Sequence, residues 1–399
     1  MLDKEIQKFI AEETRRQKSV INLIASENYV SDDMREALGS VLTNKYAEGY
    51  PGRRYYGGNT VIDKVERLCQ KRALKLFKLS PQRWSVNVQA LSGSPANLAV
   101  YMALVPLGGK IMGMTLSHGG HLTHGHSISA SGKLWKQVSY GVDKKTEQLD
   151  YFALKKIARK EKPQLIVAGF TAYSRIIDFK KFREIADACG AYLMVDMSHF
   201  AGLVAGGVYP APFPYADVVT TTTHKTLRGP RHALIFAKRK LMSRAKSRDS
   251  IDIAQAVDKA VFPGLQGGPH ENTIAAVAVA LKEAASPSFK KYARQIVKNA
   301  KALAGELKKR GWRIVSGGTD SHLLLVDTWM NGSGIGGKEA SARLENAGII
   351  VNMNTIPFDT RKPMDPSGIR LGTPAETTRG KKEKDMTKIA EKIDKVLRV

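Results

Sequence analysis

Lys225 has the strongest chemical potential of any residue in this chain. Residues 220–231 read TTTTHKTLRGPR, directly after the apolar pair Val218-Val219. A short β-branched run reads as a buried strand, so His224-Lys225 falls just past the end of that strand, at the edge of a sheet. A lysine amine is nucleophilic only when neutral, and partial burial beside other cations favours the neutral form. His224, Arg228 and Arg231 are the candidate neighbours. A lysine so placed is prepared to form a Schiff base with an aldehyde cofactor. The competing reading is a surface lysine after a strand, since the chain is rich in lysine.

Asp196, in the segment VDMSH, lies 29 positions before Lys225. That is about one strand–crossover–strand unit, so both side chains can end on the same edge of the sheet. A carboxylate paired with a pyridine nitrogen keeps it protonated and makes the ring an electron sink; an isolated Asp after a strand is otherwise a cap or turn residue. Residues 92–97 (SGSPAN) lead into an apolar helix, and small residues at a helix start leave N–H groups free for a phosphate. Residues 262–269 (FPGLQGGP) form a second glycine-rich turn open to the same use. Residues 118–126 hold four histidines, a density that suggests metal. No Asp, Glu or Cys lies among them, so a histidine stacked on a flat ring is the better reading and no metal is expected. Arg370, in GIRLGTPA, is a natural bidentate partner for a substrate carboxylate, or one half of a structural salt bridge.

The elements that must position these residues alternate from about residue 60 onward. Helices are expected at 63–77, 96–104 and 179–188, with strands at 85–88, 110–114, 165–170, 192–195, 218–221 and 233–237. Such alternation implies an α/β fold with a mostly parallel sheet covered by helices. Residues 3–18 read as an amphipathic helix and 22–58 as an extended arm. A boundary is expected at Ser286-Pro287, followed by a long basic helix (289–310), strands at 313–315 and 322–326, and helices at 338–347 and from about 381. The division is therefore 1–58 (helix and arm), 59–286 (large domain) and 287–399 (smaller C-terminal α+β domain).

At 399 residues with 43% hydrophobic content, the chain can bury a large core. No apolar run approaches membrane-spanning length, and the N-terminus lacks the uninterrupted apolar core of a signal peptide. Two cysteines, Cys69 and Cys189, stand 120 positions apart, which argues against a disulfide framework and for a reducing, cytoplasmic setting. The formal net charge is +26, with basic runs at 238–248, 290–313 and 379–398. Charge of that sign attracts nucleic acid or polyanionic substrates. Its scatter over helices, without interleaved aromatics, favours solvated helix faces instead.

Taken with LIASEN (23–28) and KYAEGYPGRRYYGG (45–58), these segments resemble the serine hydroxymethyltransferase family over nearly the whole chain. The resemblance implies the aspartate aminotransferase fold type with a seven-stranded-type sheet, pyridoxal 5'-phosphate as cofactor and tetrahydrofolate as co-substrate. It implies interconversion of serine and glycine with transfer of the one-carbon unit to folate. Lys225 would hold the cofactor, Asp196 would pair with its ring nitrogen and His121 would stack on the ring. Thr171 and His199 would reach its 3-oxygen region, while Ser92, Gly93, Ser94 and His224 would bind its phosphate. Tyr46, Glu48, Tyr55 and Tyr56, with Gly267 and Gly268, would enter from the neighbouring subunit of a homodimer, with Arg231 beside Tyr56. Ser26 and Arg370 would grip the amino-acid carboxylate. Folate would lie along Leu116, Gly119, Gly120 and Leu122, with Asn354 and Glu48 near its reactive nitrogens. Glu48, shielded by tyrosines, is the proton-transfer residue, its other reading being a salt bridge to Arg53 or Arg54.

The chain departs from the family pattern at Ala90-Leu91, His232-Ala233, Met353 and 364–366, changes that bear on folate more than on amino-acid chemistry. The segment after Gly125 is short, which favours a dimer over a tetramer. The alternatives are a folate-independent aldolase acting on threonine or allo-threonine, an RNA-binding protein on an enzyme scaffold, and a catalytically dead homologue. Retention of Lys225, Asp196, Glu48 and Arg370 together argues against the last.

Overall fold

The computed structural model describes residues 3–240 and 252–398. Beyond Lys240, the basic run expected at 238–248 lies outside the described residues. A seven-stranded sheet forms the centre, built from β1 (Trp84–Asn87), β2 (Lys110–Met114), β3 (Lys136–Tyr140), β4 (Leu165–Ala168), β5 (Tyr192–Asp196), β6 (Val218–Thr222) and β7 (Ala233–Lys238). Their spatial order is β1-β7-β6-β5-β4-β2-β3. All neighbours pair in parallel except β7, which runs antiparallel to both β1 and β6.

Strand alternation divides the core in two. Leu193 and Val195 of β5 and Ile166 and Ala168 of β4 pack into one cluster, with Phe179, Phe182 and Ile274. Met194, Leu165 and Val167 face the other side, against Val100 and Tyr101. Both faces are covered, as a mainly parallel sheet requires. The first cover includes α6 (Phe179–Asp187), and the second includes α4 (Gly93–Leu104). Three further helices precede α4, namely α1 (Lys4–Ser19), α2 (Asp32–Leu38) and α3 (Thr60–Leu76), and α5 (Tyr151–Glu161) comes before α6.

Toward the C-terminus, α7 (Glu271–Ala284) lies against α2 and α3. Ser286-Pro287, read as a boundary, is the N-cap and first residue of α8 (Pro287–Lys309), with Ser286 Oγ accepting from Phe289 N at 3.2 Å. That helix serves two cores. Phe289, Tyr292 and Ile296 join the large sheet's cluster, while Leu303 and Leu307 join a cluster beside a second sheet. Lys290, Lys291, Arg294, Lys298, Lys301, Lys308 and Lys309 lie on its exposed face, so the basic run there is a solvated stripe. The second sheet has the order β8-β9-β11-β10, from β8 (Arg313–Ile314), β9 (Leu323–Asp327), β10 (Asn352–Asn354) and β11 (Gly368–Gly372). It is backed by α9 (Glu383–Leu397).

Three sequence expectations need correction. The arm is not wholly extended: α2 and a 3-10 turn at Val41–Asn44 interrupt it, with Ser31 capping α2 through Met34 N. Residues 115–164, left without elements, contain β3 and α5. Lys136 and Ser139 of β3 are exposed, as suits a border strand, so its apolar alternation is faint. β11 begins and ends in glycine, which hides a strand from propensity. Among the described residues, no helix is long and apolar enough to cross a membrane.

Candidate active site

β5 and β6 are parallel neighbours, with Asp196 opposite Thr220. β6 is interior, so the edge that carries Lys225 is the carboxyl edge of the sheet, where α/β sheets bind ligands. Asp196 and Lys225, each 8% exposed, line one cavity of about 330 Å³. Ser92, Gly93 and Ser94 reach it from the start of α4, His121 from beyond β2, and Thr171 from beyond β4. His199, His224 and Arg231 line it from the same edge, Ser26 from the arm and Arg370 from β11.

Asp196 is held ionised. Its Oδ2 accepts from Asn97 Nδ2 at 3.0 Å and from His124 Nε2 at 3.2 Å, and its Oδ1 accepts from Ser198 N at 3.0 Å. His124 Nδ1 accepts from His121 N, which assigns the ring proton to Nε2. Burial opposes the Asp196 charge, but the bonds from His124, Ser198 and Asn97 outweigh it and keep the carboxyl far below its usual range.

Burial moves Lys225 the other way, down to about 8; Asp196 opposes the shift, while Arg370 and Arg231 reinforce it. Of the expected cationic neighbours, only Arg231 acts so. Arg228 turns to Glu283 at 3.9 Å and lies 4.9 Å from the Tyr292 ring. His224 is pushed down to about 3 by burial and then by Lys225 and Arg231, so it is neutral. His121 is neutral as well, at about 4 through burial and the nearby His124, and its Nδ1 pairs with Thr123 Oγ1 at 2.7 Å.

The remaining histidines of the cluster diverge. His118 accepts from Val142 N and packs 4.6 Å from the Phe358 ring, while His126 accepts from Ile128 N. Among the described residues, no group of three or more His, Cys, Asp or Glu side chains is placed to hold a metal. Thr171 Oγ1 donates to the carbonyls of Gly119 and Gly120, and its own carbonyl accepts from Arg370 Nη1 at 2.7 Å. Arg370 Nε donates to Asn352 Oδ1 at 3.1 Å. His199 Nδ1 meets His322 Nε2 at 3.1 Å, and burial holds both rings neutral.

Tyr46, Glu48, Tyr55, Tyr56, Gly267 and Gly268 do not line this cavity, so Tyr56 does not stand beside Arg231 within one chain. They form a separate unit: Tyr46 Oη donates to Glu48 Oε1 at 3.1 Å, and the Tyr46 and Tyr56 rings meet edge-on at 5.1 Å. A Cβ on Gly267 would stand 3.0 Å from Glu48 Oε1, so the glycine loop backs the arm. Arg54 pairs with Asp63 and Glu66 rather than with Glu48. Leu116, Gly119, Gly120, Leu122 and Asn354 also lie outside the cavity. The His118–Phe358 contact joins the loop of the first four to the segment after Asn354.

Sequence reasoning missed Asn97, His124, Ser198 and Thr222. Asn97 and His124 carried a detectable signal, being polar residues in an apolar helix and in the histidine run, but only the fold shows that both converge on Asp196.

The cavity fits pyridoxal phosphate. Buried Thr222 Oγ1 and His224 Nδ1 line it with no hydrogen-bond partner, and buried polar atoms are seldom left so. A Cβ on Gly93 would stand 2.7 Å from Thr222 Cγ2, so only glycine leaves the helix start open there. An amine with a lowered pKa and a fixed carboxylate complete a set suited to an aldehyde, a phosphate and a pyridine nitrogen.

Fold and site together define a pyridoxal-phosphate enzyme of the aspartate aminotransferase fold type. The profile of the serine hydroxymethyltransferase family matches residues 1–393. The chain is also 54% identical, over 99% of its length and 88% of the relative's, to a serine hydroxymethyltransferase of Desulfotalea psychrophila. The chain belongs to the serine hydroxymethyltransferase family, whose members use pyridoxal phosphate with tetrahydrofolate as co-substrate.

Proposed function

We propose that this chain interconverts L-serine plus tetrahydrofolate with glycine plus 5,10-methylenetetrahydrofolate, using the residues of this cavity and a partner's arm. The observation that carries the reading is the convergence of Lys225 and Asp196 on one cavity with Ser92–Ser94, His121 and Arg370. When bound, pyridoxal phosphate supplies an aldehyde for the amines and a ring that withdraws electrons from the substrate's Cα.

Lys225 provides the amine that holds the aldehyde, and its lowered pKa keeps a useful neutral fraction near pH 8. Asp196 stays anionic and would hold a proton on the ring nitrogen. His121, neutral, would cover the ring without adding charge. Ser92, Gly93, Ser94 and His224 hold the phosphate, with Thr222 Oγ1 free to join them. Thr171 and His199, which line the cavity, would border the 3-oxygen. Arg370, tethered through Thr171 and Asn352, binds the substrate carboxylate with Ser26.

The other reactive group, Glu48, moves the proton between substrate hydroxyl and folate. Its position outside its own cavity supports a homodimer in which Tyr46, Glu48, Tyr55, Tyr56, Gly267 and Gly268 complete the partner's site. Tyr46, Tyr55 and Tyr56, exposed by 53, 74 and 48%, would then be covered. Folate would pack along Leu116, Gly119, Gly120 and Leu122 beside Asn354. Two free cysteines suit a cytoplasmic setting.

The test is turnover of L-serine with and without tetrahydrofolate. Glycine formation that requires folate is expected. Equal cleavage of serine without it would favour the folate-independent aldolase.

A further inference from the structure

Glu66 has no place in the chemistry above, yet it is a fully buried charged side chain, 0% exposed, at the middle of α3. Arg54, its side chain 4% exposed, donates from Nη2 to Glu66 Oε1 at 2.7 Å and from Nε to Asp63 Oδ1 at 2.9 Å. The third arm of the guanidinium points elsewhere. Arg54 Nη1 donates to the Ala47 carbonyl at 2.8 Å and to the Gly49 carbonyl at 2.9 Å, one on each side of Glu48. Gln89 Nε2 donates to the same Gly49 carbonyl at 2.9 Å and to both Glu66 oxygens, at 3.0 and 3.1 Å. Glu66 therefore orients two donors, and both close on the backbone that carries Glu48.

A buried ionic cluster is weak support for stability, because apolar replacements often do as well. What it supplies here is direction. The planar guanidinium has fixed donor vectors, and with two of its corners held by carboxylates the third has one orientation. Removing the Glu66 charge leaves Arg54 held at Nε by Asp63 but weakens the bond at Nη2 and takes one acceptor from Gln89, so the two carbonyls flanking Glu48 are clamped less firmly.

We propose that Glu66 is a positioning residue for the reaction, fixing the Glu48 backbone through Arg54 and Gln89 of its own chain. This rests on the reading of Glu48 as the proton-transfer residue.

A double-mutant cycle tests it on the holoenzyme. Glu66→Gln is expected to lower kcat at least ~10-fold, with little change in KM for serine or in cofactor affinity, since Lys225 and Arg370 are untouched. On a Glu48→Gln background, assayed by single turnover, the same change is expected to cost less than about 2-fold, because the group it positions is already lost. Multiplying costs would overturn the proposal, as would an unchanged kcat. If Glu66→Gln does not fold, Gln89→Met removes one clamp while leaving the Arg54 pairs, and the same non-additivity is required of it.

Hybrid dimers of Lys225→Ala and Glu48→Ala chains then separate this idea from the shared site. Glu66→Gln in the chain that supplies Glu48 should abolish most of the recovered activity, and in the other chain it should matter little. Equal loss in both placements contradicts positioning. No recovery in the parent hybrids, despite proven chain exchange, contradicts the shared site and leaves the cycle to judge Glu66.

Discussion

Lys225 and Asp196 have opposite electrostatic problems, and each leads to a measurable result. Burial depresses the folded pKa of Lys225 to about 8, below its ordinary 10.5, so the unfolded chain binds more protons between those values. The cofactor-free protein should therefore gain stability as pH rises through that window. Lys225→Met lacks the penalty and should be more stable than the parent by roughly 3 kcal/mol at pH 7, converging with it near pH 10.5. Urea unfolding of both cofactor-free proteins checks this, and a constant gap across that range would contradict it. Asp196→Asn keeps the shape but gives up the anion proposed to pair with the ring nitrogen, and should lower kcat by about 10²–10⁴-fold with the cofactor still bound. Lys225 and Asp196 were legible because their spacing matches one strand–crossover–strand unit, and β5 and β6 do pair in parallel. The partners that keep Asp196 ionised were not, since Asn97 and His124 lie 99 and 72 positions away and only the tertiary fold brings them to it.

At the scale of elements, two junctions matter. The first is the start of α4, where Gly93 leaves room below Thr222. Gly93→Ala places a Cβ 2.7 Å from Thr222 Cγ2 and should weaken pyridoxal phosphate binding at least ~10-fold, read by absorbance titration of the cofactor-free protein. The second is the contact of α3 with α7. Glu271, 1% exposed, has no hydrogen-bond partner for either oxygen as a carboxylate. Burial, then Glu66, raises its pKa well above the carboxylate range, with Arg54 opposing and Asp63 adding to the shift. A folded pKa raised above the unfolded value means stability is full at low pH and is lost as pH climbs toward the raised value. Glu271→Gln cannot ionise, so wild type should lose at least ~2 kcal/mol relative to this variant between roughly pH 5 and 8. Parallel slopes in urea titrations of the two holoenzymes would refute the shift. The sequence showed α3 as a helix, but nothing in it marks Glu66 and Glu271 as meeting inside the protein, 205 positions apart. The border strand β3 and the glycine-bounded β11 escaped for the converse reason: their local pattern is weak and sheet pairing alone makes them strands.

For the whole molecule, the site combines parts from far-separated stretches. The large sheet presents Lys225 and Asp196, the second sheet sends Arg370 across to Thr171, and the arm carries Glu48 away from its own cavity. The proposed homodimer would bring the last part home, and sedimentation should show one at micromolar concentration. A stable, active monomer would exclude the shared site. Six of the seven strands of the core and much of its helical cover could be read from alternation along the chain, whereas the placing of the arm could not, because exposed tyrosines in a glycine-rich stretch do not say whose surface covers them. In a chain with 63 Lys and Arg residues, Lys225 alone is proposed to hold the cofactor. Borohydride reduction of the holoenzyme followed by peptide mass mapping tests it directly. The expected result is one pyridoxyl group per chain, on the peptide containing Lys225 and lost in Lys225→Ala. A modification on another lysine, or none at all, would contradict it.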